Sequence, residues 1–524
     1  MWDSIFIFRN QNYYNMKRLF SISCAFLLLL ISCKKISETP EVNQDAETLI
    51  PAEQIDVFIK KAVVANNKFE WASASDVMLW SALQHKDNWM SVGYQPAGKQ
   101  NVANELHLIN IETPEWKTAK DQLLQLILVS EQQLDKSLTL KNILVVADET
   151  LPFVNVVVKN LATIKLLRSN NLVRYAEPMA YEPGNEMSLV SSSGCGNLAE
   201  GGLAEGVDYT TITPNTKQSW NYASHNIPNA WTKATGTGIK IFIIDTGCEF
   251  DQENLGSAFN QGSSSGRTVE KIVTLPRATL FGIPTGPVET ADDDCGHGTS
   301  MASAAAAPRG TDGAACGVAY NSNLVTCRAG EDVMIDASRE VTGVTNAYKN
   351  AANRTDVKII SMSMGRITGS SQITDAINYA YGKGKLMFCA AGTSFGWTAG
   401  WYGVIFPAWL SNVNAVTGVR DNNYNQNCTA CHKGAETDFT VVMEKAMNER
   451  HPITLAMSGD DPSTVGGSSV STATAAGIAA LVWSRFPSFT REQVLNKLIS
   501  TSANYPTKNS SYGWGNMNAG AATN

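Results

Sequence analysis

The chain has 524 residues, too many for one ordinary hydrophobic core, so two folded parts preceded by leader segments are expected. A hydrophobic content of 44% against 17% charged residues excludes an intrinsically disordered chain. The formal net charge of −7, with no Lys/Arg-rich tract, speaks against nucleic acid as a partner.

The first predicted element is a leader. From Met16 the sequence MKRLFSISCAFLLLLISCKK places Lys17 and Arg18 before an apolar run too short to span a bilayer comfortably, ending in small residues at Ser32-Cys33. This is the pattern of an export signal, assigned to residues 1–33. Leu30-Ile31-Ser32-Cys33 resembles the bacterial lipobox, which implies Cys33 as a lipidated mature N-terminus and a membrane partner reached through acyl chains. The expected location is the cell envelope, facing the periplasm or the cell surface. The rival reading is a plain secretory signal with an incidental cysteine. Met1 to Asn15 fit neither reading and are taken as an upstream extension, with the true start at Met16. Export places Cys195, Cys248, Cys295, Cys316, Cys327, Cys389, Cys428 and Cys431 in an oxidising compartment. An even set there suggests disulfides, although about 105 pairings are open.

Residues 34–104 read as a polar spacer followed by a helical region without an assigned role. From Glu105, ELHLINIE alternates as a strand, PEWKTAKDQLLQLILVSEQQL runs at helical spacing after Pro114, NILVVAD and FVNVVVKN are strands, LATIKLLRSN is a helix and LVRYAEP a last strand. That βαββαβ order over 105–183 predicts a small ferredoxin-like α+β domain. Residues 184–217, rich in Gly and Ser, read as an exposed linker holding a processing site. Residues 218–524 then alternate apolar runs (GIKIFIID, VKIISMSMG, KLMFCAAG) with Ala-rich helical stretches. Apolar runs of this kind are what parallel strands covered on both faces require, so an α/β domain with a mostly parallel sheet is expected.

Within that domain three stretches carry chemistry. Asp245-Thr246-Gly247 ends an apolar strand, where α/β folds place their ligand sites. Asp294-Cys295-Gly296-His297-Gly298-Thr299 sets a histidine between two glycines at the head of a small-residue helix. Gly466-Gly467-Ser468-Ser469-Val470-Ser471-Thr472-Ala473 starts another such helix, whose free N–H groups suit negative charge on a substrate oxygen. IDTG, GHGT and GSSVSTA, in that order, resemble the three signature motifs of subtilisin-like serine proteases, the subtilases. The closing segment GWGNMNAGAA resembles theirs too, and the ferredoxin-like unit resembles their inhibitory propeptide.

The resemblance implies an exported serine endopeptidase made as a precursor, with its own propeptide as intramolecular inhibitor and proteins or peptides as substrates. Asp245, His297 and Ser469 would be the catalytic triad, Ser469 attacking, His297 moving the proton and Asp245 holding the imidazole. Ser468 is the rival nucleophile. Ser363, Met364 and Gly365 would pair with an extended peptide and Ala391 and Gly392 would floor the specificity pocket. The oxyanion would rest on the Ser469 N–H and Thr393, where most relatives carry asparagine. This departure supports an alternative, a catalytically weak or inactive surface protein that binds peptides. No cofactor or metal is needed for the chemistry; Asp292-Asp293-Asp294 reads as a solvated acidic turn rather than a calcium site. A disulfide between Cys248 and Cys295 is expected to staple the site, another could join Cys316 to Cys327, and Cys389 should be buried. Cys428-Thr429-Ala430-Cys431-His432 matches a haem-attachment pattern but is read as a disulfide turn.

Overall fold

Two large sheets organise the residues that the computed structural model describes, 48–184, 195–280, 283–394 and 403–524. The expected signal, Cys33 included, lies outside them. The N-terminal part runs α1 (Ala52–Asn66), α2 (Asp76–Gln84), β1 (Trp89–Tyr94), α3 (Pro114–Glu131), β2 (Leu144–Ala147), β3 (Phe153–Val157), α4 (Leu161–Arg168) and β4 (Val173–Pro178). Its sheet has the order β2-β3-β1-β4, every neighbouring pair antiparallel. The βαββαβ order is therefore present, but its first strand is Trp89–Tyr94 and not the stretch from Glu105.

The reason lies in burial. Glu105–Glu112 has the alternation of a strand, yet it forms short helical turns in which Leu106 is buried and Leu108 is 75% exposed, so residues two apart do not share a face. In β1 five successive residues are buried, which erases the alternation that would have revealed it.

The second part carries β5 (Lys240–Asp245), β6 (Val269–Val273), α5 (His297–Ala306), β7 (Asn323–Arg328), α6 (Ser338–Asn353), β8 (Val357–Met362), α7 (Ser371–Gly382), β9 (Leu386–Ala390), β10 (Asn414–Arg420), β11 (Thr437–Glu444) and α8 (Gly467–Arg485). Seven strands in the order β11-β10-β9-β8-β5-β7-β6 pair in parallel throughout. This is the expected α/β architecture. Alternate residues of β5 feed opposite cores: Ile241 and Ile243 pack with α5 and α8, and Phe242 and Ile244 with α6 and α7. Among the described residues no helix is long and apolar enough to cross a membrane.

Small residues let α8 run through the interior. A Cβ at Gly477 would lie 2.7 Å from Val318 Cβ and 3.1 Å from the Ala305 carbonyl, so glycine is what allows α8 to approach α5 so closely. Its buried hydroxyls are satisfied inside the helix, Ser471 donating to the Gly467 carbonyl at 2.9 Å and Thr472 to that of Ser468 at 2.8 Å.

The N-terminal sheet packs on α6 and α7, and its Met90, Val92 and Phe153 share one apolar cluster with Ile373, Ala376 and Ile377. Polar contacts fix the register of that face. Arg174 reaches Asp375 with one nitrogen at 3.1 Å, and Glu177 accepts the Ser371 hydroxyl at 2.9 Å at the head of α7. The part of the expected linker from 195 to 207 is mostly exposed, and the chain then folds in. Asp208 and Thr216 are buried, and residues 209–212 and 216–219 form a hairpin.

Candidate active site

Asp245 ends β5 with its side chain fully buried, and its Oδ1 accepts both the Thr246 N–H at 2.9 Å and a hydrogen bond from His297 Nδ1 at 2.7 Å. Close approach of α5 makes that contact. A Cβ on Gly298 would sit 2.4 Å from the Gly247 carbonyl oxygen and 3.2 Å from Asp245 Cβ, so only glycine after His297 lets the helix start press on the end of the strand. Burial lowers the His297 pKa, but the charge and hydrogen bond of Asp245 outweigh it and the net shift is upward.

Beneath this pair lies Asp293, which sequence reasoning missed. It was expected in a solvated turn and is instead fully buried. Its Oδ1 accepts from Thr246 Oγ1 at 2.7 Å and from the Gly296 N–H at 2.8 Å, and its Oδ2 from the Thr299 N–H at 2.8 Å and hydroxyl at 2.7 Å. Thr246 in turn accepts the Gly298 N–H at 2.9 Å. One carboxylate thereby holds the end of β5 and the head of α5 together. The available signal was an Asp just ahead of a helix start, where such residues accept free N–H groups. Asp294 alone of that triplet fits the exposed reading, paired with Arg328 at 2.9 Å.

Every residue from Gly467 to Trp483 is buried except Ser469. The N-terminal four turns of the helix therefore open to the surface at that one hydroxyl-bearing position. Ser468 is turned inward: its Oγ accepts the Gly392 N–H at 3.1 Å and lies 3.1 Å from Thr393 Oγ1. Ser363 Oγ donates to the Ser469 carbonyl at 3.1 Å, which ties the residue after β8 to the start of α8. Thr393, expected at the oxyanion, thus has its hydroxyl beside Ser468, and Ser394 Oγ is 3.2 Å from His432 Nε2.

The expected peptide-pairing edge is already engaged at Gly365. The Gly365 N–H donates to the Val333 carbonyl at 3.0 Å and its carbonyl accepts the Ile335 N–H at 3.0 Å, so an incoming strand pairs there only once residues 333–335 draw aside. Met364 is buried against the same loop, its Cε 2.3 Å from where a Cβ on Gly330 would be. Ala391 is likewise bonded on both sides, to Val416 and Ile405. Gly392, with φ +122°, is backed by His432, whose ring would lie 2.5 Å from any Cβ there. Burial pushes the His432 pKa down to about 4, so its ring is neutral at ordinary pH.

The cysteines correct two expectations. Cys295 pairs with Cys195, not with Cys248. The segment after 195 runs beside the histidine loop, Gly196 N–H donating to the Cys295 carbonyl at 2.8 Å and Asn197 Nδ2 to the Gly296 carbonyl at 3.0 Å. Cys248 stays a buried thiol with its pKa pushed up to about 12 by burial. Cys316 and Cys327 cannot pair because they belong to the cores on opposite sides of the sheet. Cys389 is buried as expected. Cys428 and Cys431 form a disulfide turn that backs residues 392–394, Ser394 N–H donating to the Ala430 carbonyl at 2.7 Å and His432 N–H to that of Gly392 at 3.0 Å. Both sulfurs are therefore committed to each other, in the disulfide turn that the sequence suggests. The carboxylates of Glu253, Asp312 and Asp460 bring oxygens within 4.8 Å of one another, an arrangement that shares no residue with this site.

The chain is similar to known proteins in sequence and in fold. The model of the subtilase family (Peptidase S8) matches residues 236–515. A thermostable alkaline protease of Halalkalibacterium halodurans is 33% identical over 231 residues, 44% of this chain and 58% of that one. The alkaline elastase YaB of a Bacillus species is 30% identical over 289 residues, 55% of this chain and 65% of that one. The chain thus spans less than two thirds of the length of these curated relatives. Among solved structures, MycP1 from Mycobacterium smegmatis aligns with a TM-score of 0.45 at 21% identity, covering 60% of this chain and 88% of that one.

Proposed function

Since the chain belongs to the subtilase family, we propose that it is an exported serine endopeptidase, made as a precursor and cutting peptide bonds through Asp245, His297 and Ser469. The observation that carries this reading is the opening of α8 at Ser469 within its otherwise buried stretch Gly467–Trp483, in a domain where His297 is already hydrogen bonded to Asp245. Ser469 Oγ attacks the scissile carbonyl and forms the acyl bond while His297 Nε2 takes its proton. The same nitrogen then returns the proton to the leaving amine, and water repeats the sequence to release the acid. Asp245, accepting at Nδ1, keeps Nε2 unprotonated and stabilises the imidazolium once it forms.

The antiparallel N-terminal unit seated on α6 and α7 supports its reading as an intramolecular inhibitor, released by cleavage between 184 and 195. Cys33 is proposed to hold the protein at a bacterial membrane. A fluorophosphonate probe that acylates only a nucleophilic serine tests the chemistry: labelling of Ser469 is expected, and an unlabelled, folded protein would favour the peptide-binding alternative.

Two consequences follow from the geometry. Because the base acts as neutral imidazole and Asp245 raises its pKa, kcat/KM should fall on the acid side with an apparent pKa above the ordinary His value of about 6.5. A limb at or below that value would mean the contact with Asp245 is lost in solution. Thr393 is a short donor already engaged with Ser468, so Thr393→Asn should raise kcat by up to about 100-fold with KM little changed. That size is the one known for the corresponding donor of subtilisin. An unchanged kcat would show that another group supplies the second oxyanion hydrogen bond.

A further inference from the structure

The carboxylate of Glu182 enters a site built wholly from the other domain. It accepts from Arg366 Nε at 2.8 Å, from the Ile367 N–H at 2.7 Å, from the Thr368 N–H at 3.2 Å and from the Thr368 hydroxyl. Both charged side chains are only 1% exposed. Arg366 gives three further hydrogen bonds, to the Met179 carbonyl at 2.9 Å, the Tyr181 carbonyl at 3.2 Å and Thr368 Oγ1 at 2.9 Å. Two backbone N–H groups, a hydroxyl and a guanidinium converging on one carboxylate is more than an ion pair needs; it is a shaped anion pocket.

The backbone at the head of the pocket is held from within its own domain. Arg366 is pinned to Phe406 in both directions, donating at 3.0 Å and accepting at 3.1 Å. It also directly follows Ser363-Met364-Gly365, the stretch expected to line an extended peptide, whose Ser363 is bonded to Ser469. We propose that Arg366, Ile367 and Thr368 form a subsite of the substrate groove that takes an acidic side chain of the protein substrate, with Glu182 as its occupant in the precursor. The inference rests on the protease reading above.

Departure of the N-terminal unit strips Arg366 of a carboxylate and two carbonyls at once. A guanidinium left without them favours any ligand that restores all three. An extended peptide with Asp or Glu upstream of the scissile bond does so, since residues 179–182 already show how two main-chain carbonyls and one carboxylate reach the pocket together. A lysine or arginine at that place meets like charge and is rejected.

The test uses quenched fluorescent peptides, identical except for Glu or Gln, with that residue moved through positions four to seven before the cleaved bond. After self-processing, the wild type should cut the Glu peptide at least about tenfold faster in kcat/KM at one position, mainly through KM, and Arg366→Met should bring that ratio to about one. Thr368→Val, which removes one donor and keeps the side-chain volume, should lower the ratio in part and guards against misfolding of the arginine variant. Equal rates for Glu and Gln at every position in an active wild type overturn the subsite and leave the Glu182–Arg366 pair as an interface contact. Should neither peptide be cut, the protease reading falls. The subsite is then judged by titrating the labelled peptides into protein nicked within 185–194 by an external protease, where release of the N-terminal unit and its Glu182 at a lower concentration of the Glu peptide than of the Gln peptide supports it and equal release overturns it.

Discussion

Ser469→Ala should leave the precursor uncut between 184 and 195 and lower peptide hydrolysis by about 10⁶-fold, while the protein folds as before. That magnitude is the one known for the triad serine of subtilisin and amounts to about 8 kcal/mol of transition-state stabilisation. The folding half of the prediction follows from position. Ser469 is the one residue between Gly467 and Trp483 that is not buried, so removing its hydroxyl leaves no interior group unpaired. Ser468→Ala is the informative contrast. It deprives the buried Gly392 N–H of its acceptor and so should cost about 1–3 kcal/mol of stability, and it should slow the reaction far less. Mass spectrometry of the expressed chain reads self-processing, and thermal unfolding reads stability. Should Ser468→Ala abolish cleavage and Ser469→Ala spare it, the assignment of the nucleophile is reversed.

How far the sequence led depends on what kind of physics each feature carries. The parallel sheet was legible because strands covered on both faces must be continuous apolar runs, and GIKIFIID and KLMFCAAG are such runs. The same covering hid Trp89–Tyr94: a short strand buried on both sides has no alternation, and five buried residues in a row read as easily as helix. Asp245 and His297 were visible through the glycines that close approach demands. The contacts that support them were not, because Asp293 and Asn197 act through partners that tertiary folding chooses. The cysteines make the same point. Counting predicted disulfides, but the pairing of Cys295 with Cys195 depends on a chain segment crossing the histidine loop, and the failure of Cys316 and Cys327 to meet depends on which face of the sheet each occupies. The engaged edge at Gly365 belongs to this class as well, since a peptide-pairing motif does not reveal what its own chain lays against it.

Asp245→Asn should lower kcat by about 10⁴-fold with KM nearly unchanged, and it should move the acid limb of the residual activity to lower pH. Both effects come from one oxygen. Oδ1 accepts from the Thr246 N–H and from His297 Nδ1 at the same time, so a carboxylate fits this place and keeps the imidazole proton on Nδ1. An amide offers an oxygen without the charge, or a nitrogen that donates to Nδ1 and forces the proton onto Nε2, where His297 no longer serves as base. The shift of the limb has a definite sign. Burial acts to lower the His297 pKa and the Asp245 charge and hydrogen bond raise it, with smaller raising contributions from Asp293 and Asp332; without the Asp245 charge the pKa drops. Stability should hardly fall, because Asp245 Oδ2 has no hydrogen-bond partner among the described residues and an amide is less costly to bury than a charged carboxylate. A purely structural role for Asp245 predicts the reverse pattern, a large loss of thermal stability with an unmoved pH profile. Activity within tenfold of the wild type, or an acid limb that stays in place, would remove Asp245 from the reaction.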